Sequence, residues 1–200
     1  MTNKPYSEAA SRNAAPILEV LKAEFDVTTS VLEIGSGTGQ HAVYLAPRLP
    51  HLTWQPSDRK QNLAGIEQWV EEQDSKNIER PLLLDVMEQP LLKSTFDGVY
   101  SANTAHIMSV GAVKKMISLV AAILPTFGKF ALYGPFTAGG QFDSESNAAF
   151  DASLRQQDPA MGIRSLEFLD ELAAEAGLQR VSTYAMPANN QLLIWQKASK

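Results

Sequence analysis

None of the chain's 200 residues is cysteine, which excludes structural disulfides, thiolate nucleophiles and cysteine-ligated metals and fits a reducing compartment. Basic runs are missing too. No cluster of lysine and arginine exceeds a pair, and 17 basic against 22 acidic residues leave a net charge of −5. Long-range attraction to phosphate backbones or anionic lipid then has no source, so nucleic acid is not an expected partner. The longest hydrophobic run, Met116 to Leu124, is too short to cross a bilayer, and the start MTNKPYSEAASRN has no apolar signal region. These absences predict a cytoplasmic protein with no membrane partner. The histidines number only three, scattered and without a carboxylate at ligand spacing, which argues against a metal site.

What the chain does have is alternation. Apolar runs of strand length (31–34, 52–55, 81–84, 96–102, 129–136) are separated by helix-like stretches that include Gln40 to Ala46, Asn62 to Glu72 and Val110 to Leu124. Such a pattern implies right-handed βαβ units and a parallel sheet covered on both faces. After Gly177 the pattern changes to two strand candidates, LQRVSTYAMP and NQLLIWQK, joined through Pro187 to Asn190. They predict an antiparallel hairpin on an otherwise parallel sheet. The expected fold is α/β, Rossmann-like and doubly wound, with seven strands in a single domain over 1–200. Two segments stand outside the alternation. Residues 1–13 read as an N-terminal arm before a helix that carries Ile17, Leu21 and Phe25, with Asn13 available as its cap. Residues 134–164 form a long, lid-like connection; connections of that length are functional or disordered, and the helix-like piece around Phe150 and Leu154 favours order.

The stretch VLEIGSGTGQHA, Val31 to Ala42, runs from strand into helix with glycine at every second loop position. In an open α/β sheet, ligands bind outside the carboxyl ends of the strands, so this loop is the natural floor of a site. The glycines alone leave a plain tight turn, a dinucleotide loop (Gly37, Gly39 and Ala42 satisfy G-x-G-x-x-G/A) and other nucleoside sites open. Three acids add information. Glu33, inside the strand, suits a cationic or hydrogen-donating ligand group or a buried polar network. Asp58, about twenty residues on, is placed to accept both ribose hydroxyls of an adenosine cofactor. Asp85 follows the third strand, where it is placed to accept from an exocyclic amine while the Val86 amide meets a ring nitrogen; Asp58 and Asp85 equally suit turn caps.

With these residues in view, the chain resembles the class I S-adenosylmethionine-dependent methyltransferases, whose first motif reads acidic-x-Gly-x-Gly-x-Gly, here Glu33-Ile34-Gly35-Ser36-Gly37-Thr38-Gly39. More closely, it is similar to a small methyltransferase-like family long catalogued as a domain of unknown function, through SEAASRNAAPILEVL, WQPSD, LLLDV, SANTAHI, LYGPF, SESNAAFDASLR and DPAMGIR. Met161 and Ser165 depart from that family's usual aromatic and acidic residues. The resemblance implies S-adenosylmethionine as cofactor. Gly35, Ser36, Gly37, Thr38 and Gly39 would admit its methionine portion, and Glu33 with Asn103 its ammonium group. Asp58 would take the ribose, Asp85 and Val86 the adenine, and Arg12 and Asn13 the methionine carboxylate.

Methyl transfer from a sulfonium needs alignment and, for some acceptors, removal of a proton, so no catalytic triad is required. His106 is the titratable group expected near the transferred methyl, as a general base or as a packing residue. The segment SANT lacks the Asx-Pro-Pro-aromatic run that grips a flipped base, which again argues against nucleic acid. Tyr133, Phe136, Asn147 and Arg155, on or beyond the fifth strand, are expected to face a small-molecule acceptor. Two other functions stay in play: a non-catalytic cofactor-binding sensor or partner protein, and an NAD(P)-dependent reductase, which the hairpin ending and Glu33 disfavour. The sequence does not indicate an oligomeric state.

Overall fold

The computed structural model describes residues 4–73, 75–88, 92 and 96–199. Its main sheet has seven strands in the order β3-β2-β1-β4-β5-β10-β9: β1 (Ser30–Ile34), β2 (Thr53–Asp58), β3 (Leu82–Leu83), β4 (Gly98–Ala102), β5 (Lys129–Gly134), β9 (Leu178–Met186) and β10 (Asn190–Lys197). A three-stranded sheet, β7-β6-β8, is built from β6 (Phe136–Ala138), β7 (Gln141–Phe142) and β8 (Arg164–Ser165). The helices are α1 (Glu8–Glu24), α2 (Gln40–Leu45), α3 (Lys60–Glu72), α4 (Val110–Ile123), α5 (Glu145–Gln157) and α6 (Leu166–Glu175). The chain divides into two compact units, Met1–Ser101 and Ala102–Lys200.

In the first unit β1 pairs in parallel with β2 on one side and β4 on the other, bringing Glu33 opposite Pro56 and Tyr100. Because β1 is covered on both faces, Val31, Leu32 and Ile34 are all buried, and an uninterrupted apolar run is what such a strand requires. Ile17 and Leu21 of α1 and Phe25, its C-cap, are fully buried, each contributing about 1.5–3 kcal/mol.

The start of α1 corrects the expectation for residues 1–13. The helix begins at Glu8, capped by Ser7, whose Oγ accepts from the Ala10 amide, so Asn13 lies well inside it. Pro16 also lies inside, removing only the donor that would meet the Arg12 carbonyl. Tertiary contacts hold this early start in place. Trp69 Nε1 donates to the Pro5 carbonyl at 2.7 Å, Lys4 pairs with Glu72 and sits over the Trp69 ring, and Gly65 leaves room for Pro5. Gln40 completes the clamp, donating to the Ser7 carbonyl and Ser11 Oγ and accepting from the Ser7 amide and Thr38 Oγ1.

In the second unit β10 runs antiparallel to both β5 and β9. The turn of the β9–β10 hairpin places Ala188 and Asn189 at positive φ, the requirement of a type I′ turn. Phe130 and Trp195 stack at 5.6 Å in its core. The connection 134–164 contains β6, β7 and α5, with Leu154 buried and Phe150 half exposed.

Candidate functional site

The loop after β1 exists because three glycines accept a left-handed backbone, with φ of 73° at Gly35, 60° at Gly37 and 90° at Gly39. The amides of Gly35 and Ser36 both donate to the Ser57 carbonyl at 3.0 Å, and Ser57 returns its own amide to Ser36 Oγ at 3.1 Å. Two of the glycines serve different ends. A Cβ on Gly39 would stand 3.1 Å from the Ile66 Cα, so this glycine lets α3 pack closely. A Cβ on Gly37 would meet nothing within 4 Å, so its face is open.

Asp58 closes β2 and is buried beside that face. One carboxylate oxygen accepts from the Gly37 amide at 2.7 Å; the other accepts from the Arg59 amide at 2.7 Å and Asn62 Nδ2 at 3.0 Å. The Asp58 carbonyl accepts from the Leu84 amide, tying it to the end of β3. Asp85, just beyond, is half-buried and accepts from the Met87 amide at 2.9 Å, while Val86 is buried. The carboxyl ends of β1, β2 and β3 therefore bring together the glycine loop, Asp58 and Asp85. Glu33, one turn of the pleat below, is 2% exposed and accepts from Trp54 Nε1 at 2.9 Å. Burial pushes its carboxyl up to about 7; hydrogen bonds from Trp54 and Ser36 act against this and the charge of Asp58 adds to it.

Arg12 and Asn13 are placed differently from each other. Arg12 is exposed and pairs with Glu8 at 3.2 Å on the surface of α1. Asn13 is buried, its Oδ1 2.7 Å from His41 Nε2, and His41 Nδ1 lies 3.1 Å from the Tyr100 hydroxyl. An amide oxygen only accepts, so His41 carries its proton on Nε2 and accepts from Tyr100. Burial lowers this imidazole to about 4. The His41 bridge and the Gln40 clamp escape sequence reading, since polar residues at buried helix positions carry no periodic signal; their place directly after the glycine motif is the one available hint.

The remaining candidates lie in the second unit. Asn103 has a positive φ of 58° and donates its amide to the Tyr133 carbonyl at 2.9 Å. His106 is buried, edge-on to Phe150 at 5.2 Å, and its carbonyl accepts from the Gly162 amide. Burial, and then the nearby Arg164 cation, lower it to about 4, so at neutral pH it is an uncharged imidazole and a weak base. Tyr133 and Phe136 are buried in the strands that carry them. Asn147 is buried and donates to the Asn189 carbonyl at 3.0 Å, fastening α5 to the hairpin turn. Arg155 Nε donates to Asp151 at 2.7 Å. Arg164, which sequence reading passed over, is 6% exposed and donates to the carbonyls of Ala105, Met108 and Ala160. Met161 closes a turn on the Asp158 carbonyl, and Ser165 caps α6 through the Phe168 amide.

Among the described residues, no group of three or more His, Asp or Glu side chains is arranged to hold a metal, and no helix is long and apolar enough to cross a membrane. An open groove of about 720 Å³ runs between α6 and β9, lined by Asp170, Arg180 and Thr183 among others. None of the candidate residues lines it.

The family described as Protein of unknown function (DUF938) matches residues 4–197. Among solved structures, an O-methyltransferase family protein from Burkholderia thailandensis superposes with TM-score 0.83 at 16% identity, over 96% of this chain and 58% of that one. Human N-acetylserotonin methyltransferase in complex with SAM gives 0.80 at 15%, over 96% and 53%. An O-methyltransferase family 2 protein from Planctomyces limnophilus in complex with apigenin gives 0.83 at 18%, over 95% and 58%. At such identities the likeness shows the fold, and this chain spans just over half the length of each of these proteins.

Proposed function

This chain belongs to the DUF938 family, and from that premise we propose that it binds S-adenosylmethionine on the glycine loop and transfers its methyl group to a small-molecule acceptor. The observation that carries this reading is the pairing of an open left-handed glycine, Gly37, with a buried carboxylate that already holds its amide, Asp58. A nucleoside needs both: bare backbone to lie against and an acceptor for its ribose hydroxyls. The methyltransferase fold of the chain and the S-adenosylmethionine carried by the human structural neighbour support the choice of nucleoside.

When bound, the cofactor supplies an electrophilic methyl on a sulfonium whose departure as a thioether needs no acid. The chain's own task is to orient and to exclude water. Gly35 to Gly39 seat the amino-acid portion, and Glu33 accepts from its ammonium. Asp58 takes the ribose, while Asp85 and the Val86 amide take the adenine. Arg12 and Asn13 would each have to give up a present partner, Glu8 and His41, to meet the methionine carboxylate. In the second unit, Tyr133, Phe136, Asn147 and Arg155 are assigned to the acceptor and His106 to its proton. A non-catalytic sensor is the second reading, and one observation favours it: His106 is lowered to about 4, which leaves little basicity for deprotonating an acceptor.

Calorimetric titration with S-adenosylmethionine, S-adenosylhomocysteine and NADH, followed by a methyl-transfer screen of small metabolites, tests the reading. Binding of both sulfur nucleosides together with turnover on one acceptor supports it. Binding without turnover on any acceptor favours the sensor. Binding of NADH alone rejects both.

A further inference from the structure

The acceptor side of the second unit carries a charge imbalance. Arg164 is 6% exposed, yet the groups it donates to are three neutral backbone carbonyls, those of Ala105, Met108 and Ala160. The charge of Asp151 favours the Arg164 cation, but this carboxylate is already engaged: it accepts from Arg155 Nε at 2.7 Å, Arg155 Nη2 at 3.3 Å and the Ile163 amide at 2.7 Å. Among the described residues no ion pair joins this carboxylate to Arg164, and Asp158, the next acid along the chain, accepts from the Ala160 amide. His106, whose carbonyl is held by Gly162, adds no negative charge.

A buried cation whose hydrogen bonds all go to neutral carbonyls is costly unless an anion completes it. The nitrogens are also disposed to receive one. Arg164 spends Nε and Nη2 on its carbonyls, and among the described residues its Nη1 has no hydrogen-bond partner. Arg155 is half exposed and is steadied by Asp151 through Nε and Nη2, and among the described residues its Nη1 has no hydrogen-bond partner. Its guanidinium lies so close over Gly162 that a Cβ there would stand 2.6 Å from Cζ, so the absence of a side chain at 162 is what lets Arg155 take this position.

We propose that Arg155 and Arg164 form an oxyanion site and that the methyl acceptor is an anionic small molecule, one carrying a carboxylate. The inference rests on the methyltransferase reading for the word acceptor, but the anion site stands on the second unit alone. A fork-shaped donor pair held by other bonds suits a planar carboxylate. The phenyl ring of Phe150, half exposed and edge-on to His106, offers an apolar surface for the rest of such a molecule.

The test uses the full chain saturated with S-adenosylhomocysteine, with ¹⁵N-labelled histidine, titrated with acetate and in parallel with acetamide. Acetate is expected to shift the His106 ring signals and to raise its pKa by offsetting the Arg164 cation, and acetamide to do neither. Arg155→Gln should weaken acetate about tenfold, the size of one lost charge-assisted hydrogen bond, whereas Arg48→Gln, which removes the same charge elsewhere, should not. Arg155→Lys, which keeps the charge and loses the fork, should fall between and serves if the glutamine variant does not fold. Equal responses to acetate and acetamide, or an unchanged acetate affinity in both Arg155 variants, overturn the proposal. The alternative source of a carboxylate is the cofactor itself. If Arg155→Gln weakens S-adenosylhomocysteine but not 5′-methylthioadenosine, the site belongs to the methionine carboxylate and the acceptor assignment falls. Should S-adenosylhomocysteine not bind at all, the methyltransferase reading fails, while acetate titration of the unloaded chain still decides whether the anion site exists.

Discussion

Replacing Glu33 by glutamine keeps an oxygen to accept from the Trp54 indole while removing a titration that burial has displaced from 4.5 to about 7. Between those pH values the folded chain holds a proton on Glu33 that the unfolded chain has released. Its contribution to stability is therefore fully present below about pH 4.5 and is lost as pH rises through about 7. A displacement of about 2.5 units at about 1.4 kcal/mol each makes that loss about 3 kcal/mol. His41 and His106 act in the opposite sense. Both are lowered from 6.5 to about 4, so their contributions are present above 6.5 and are lost as pH falls through about 4. The wild-type curve mixes the two effects, and the difference between wild type and Glu33→Gln isolates the carboxyl. Urea unfolding of both proteins from about pH 4.5 to about pH 8 supplies it. Wild type should lose about 3 kcal/mol relative to the variant across this window. A ligand ammonium beside Glu33 favours the ionised form, so S-adenosylhomocysteine should bind more tightly to wild type as pH rises towards 7, with no such trend in the variant. Parallel stability curves would refute the burial of a titrating Glu33.

Asp58→Ala should weaken S-adenosylhomocysteine by about 1–3 kcal/mol, the scale of charged hydrogen bonds lost to a ligand, and unchanged affinity in a folded variant would remove Asp58 from the ribose site. Gly37→Val and Gly39→Ala should separate by kind: the first abolishes binding because its side chain fills the open face at a φ of 60°, whereas the second lowers the melting temperature by forcing Ile66 away; binding retained by a folded Gly37→Val would remove the loop from the site. Gln40→Ala should release the start of α1, read as faster hydrogen exchange of the amides of residues 7–11, and no change there would mean that the Trp69 and Lys4 contacts hold the segment alone. Saturating S-adenosylhomocysteine should slow exchange in residues 4–13 and 147–155 if these segments cover the ligand, and equal exchange with and without it would mark them as ordinary surface.

The parts legible in the sequence are those with a period or a conformational demand. Strands covered on both faces read as apolar runs, and β1 with Val31, Leu32 and Ile34 buried is such a case. The hairpin declared itself through Pro187 to Asn190, and the loop through glycines that only a left-handed backbone requires. The start of α1 was hidden because two cap residues compete. Asn13 precedes the apolar period and Pro16 looks like a first-turn proline, yet the contacts of Pro5 and Ser7 with Trp69 and Gln40 decide for Ser7. These contacts join residues far apart in the chain and leave no local mark. The same holds for Arg164, an ordinary surface residue by composition whose burial depends on carbonyls at positions 105, 108 and 160.

In the proposed function the glycine loop and the acids at the carboxyl ends of β1 to β3 form the S-adenosylmethionine site. Amide chemical-shift mapping of the ¹⁵N-labelled chain with S-adenosylhomocysteine tests it most directly. The largest shifts are expected at Gly35 to Gly39, at Asp58 and Arg59, and at Val86 and Met87. Shifts confined to the groove between α6 and β9, around Asp170 and Arg180, or no shifts at saturating ligand, would contradict it.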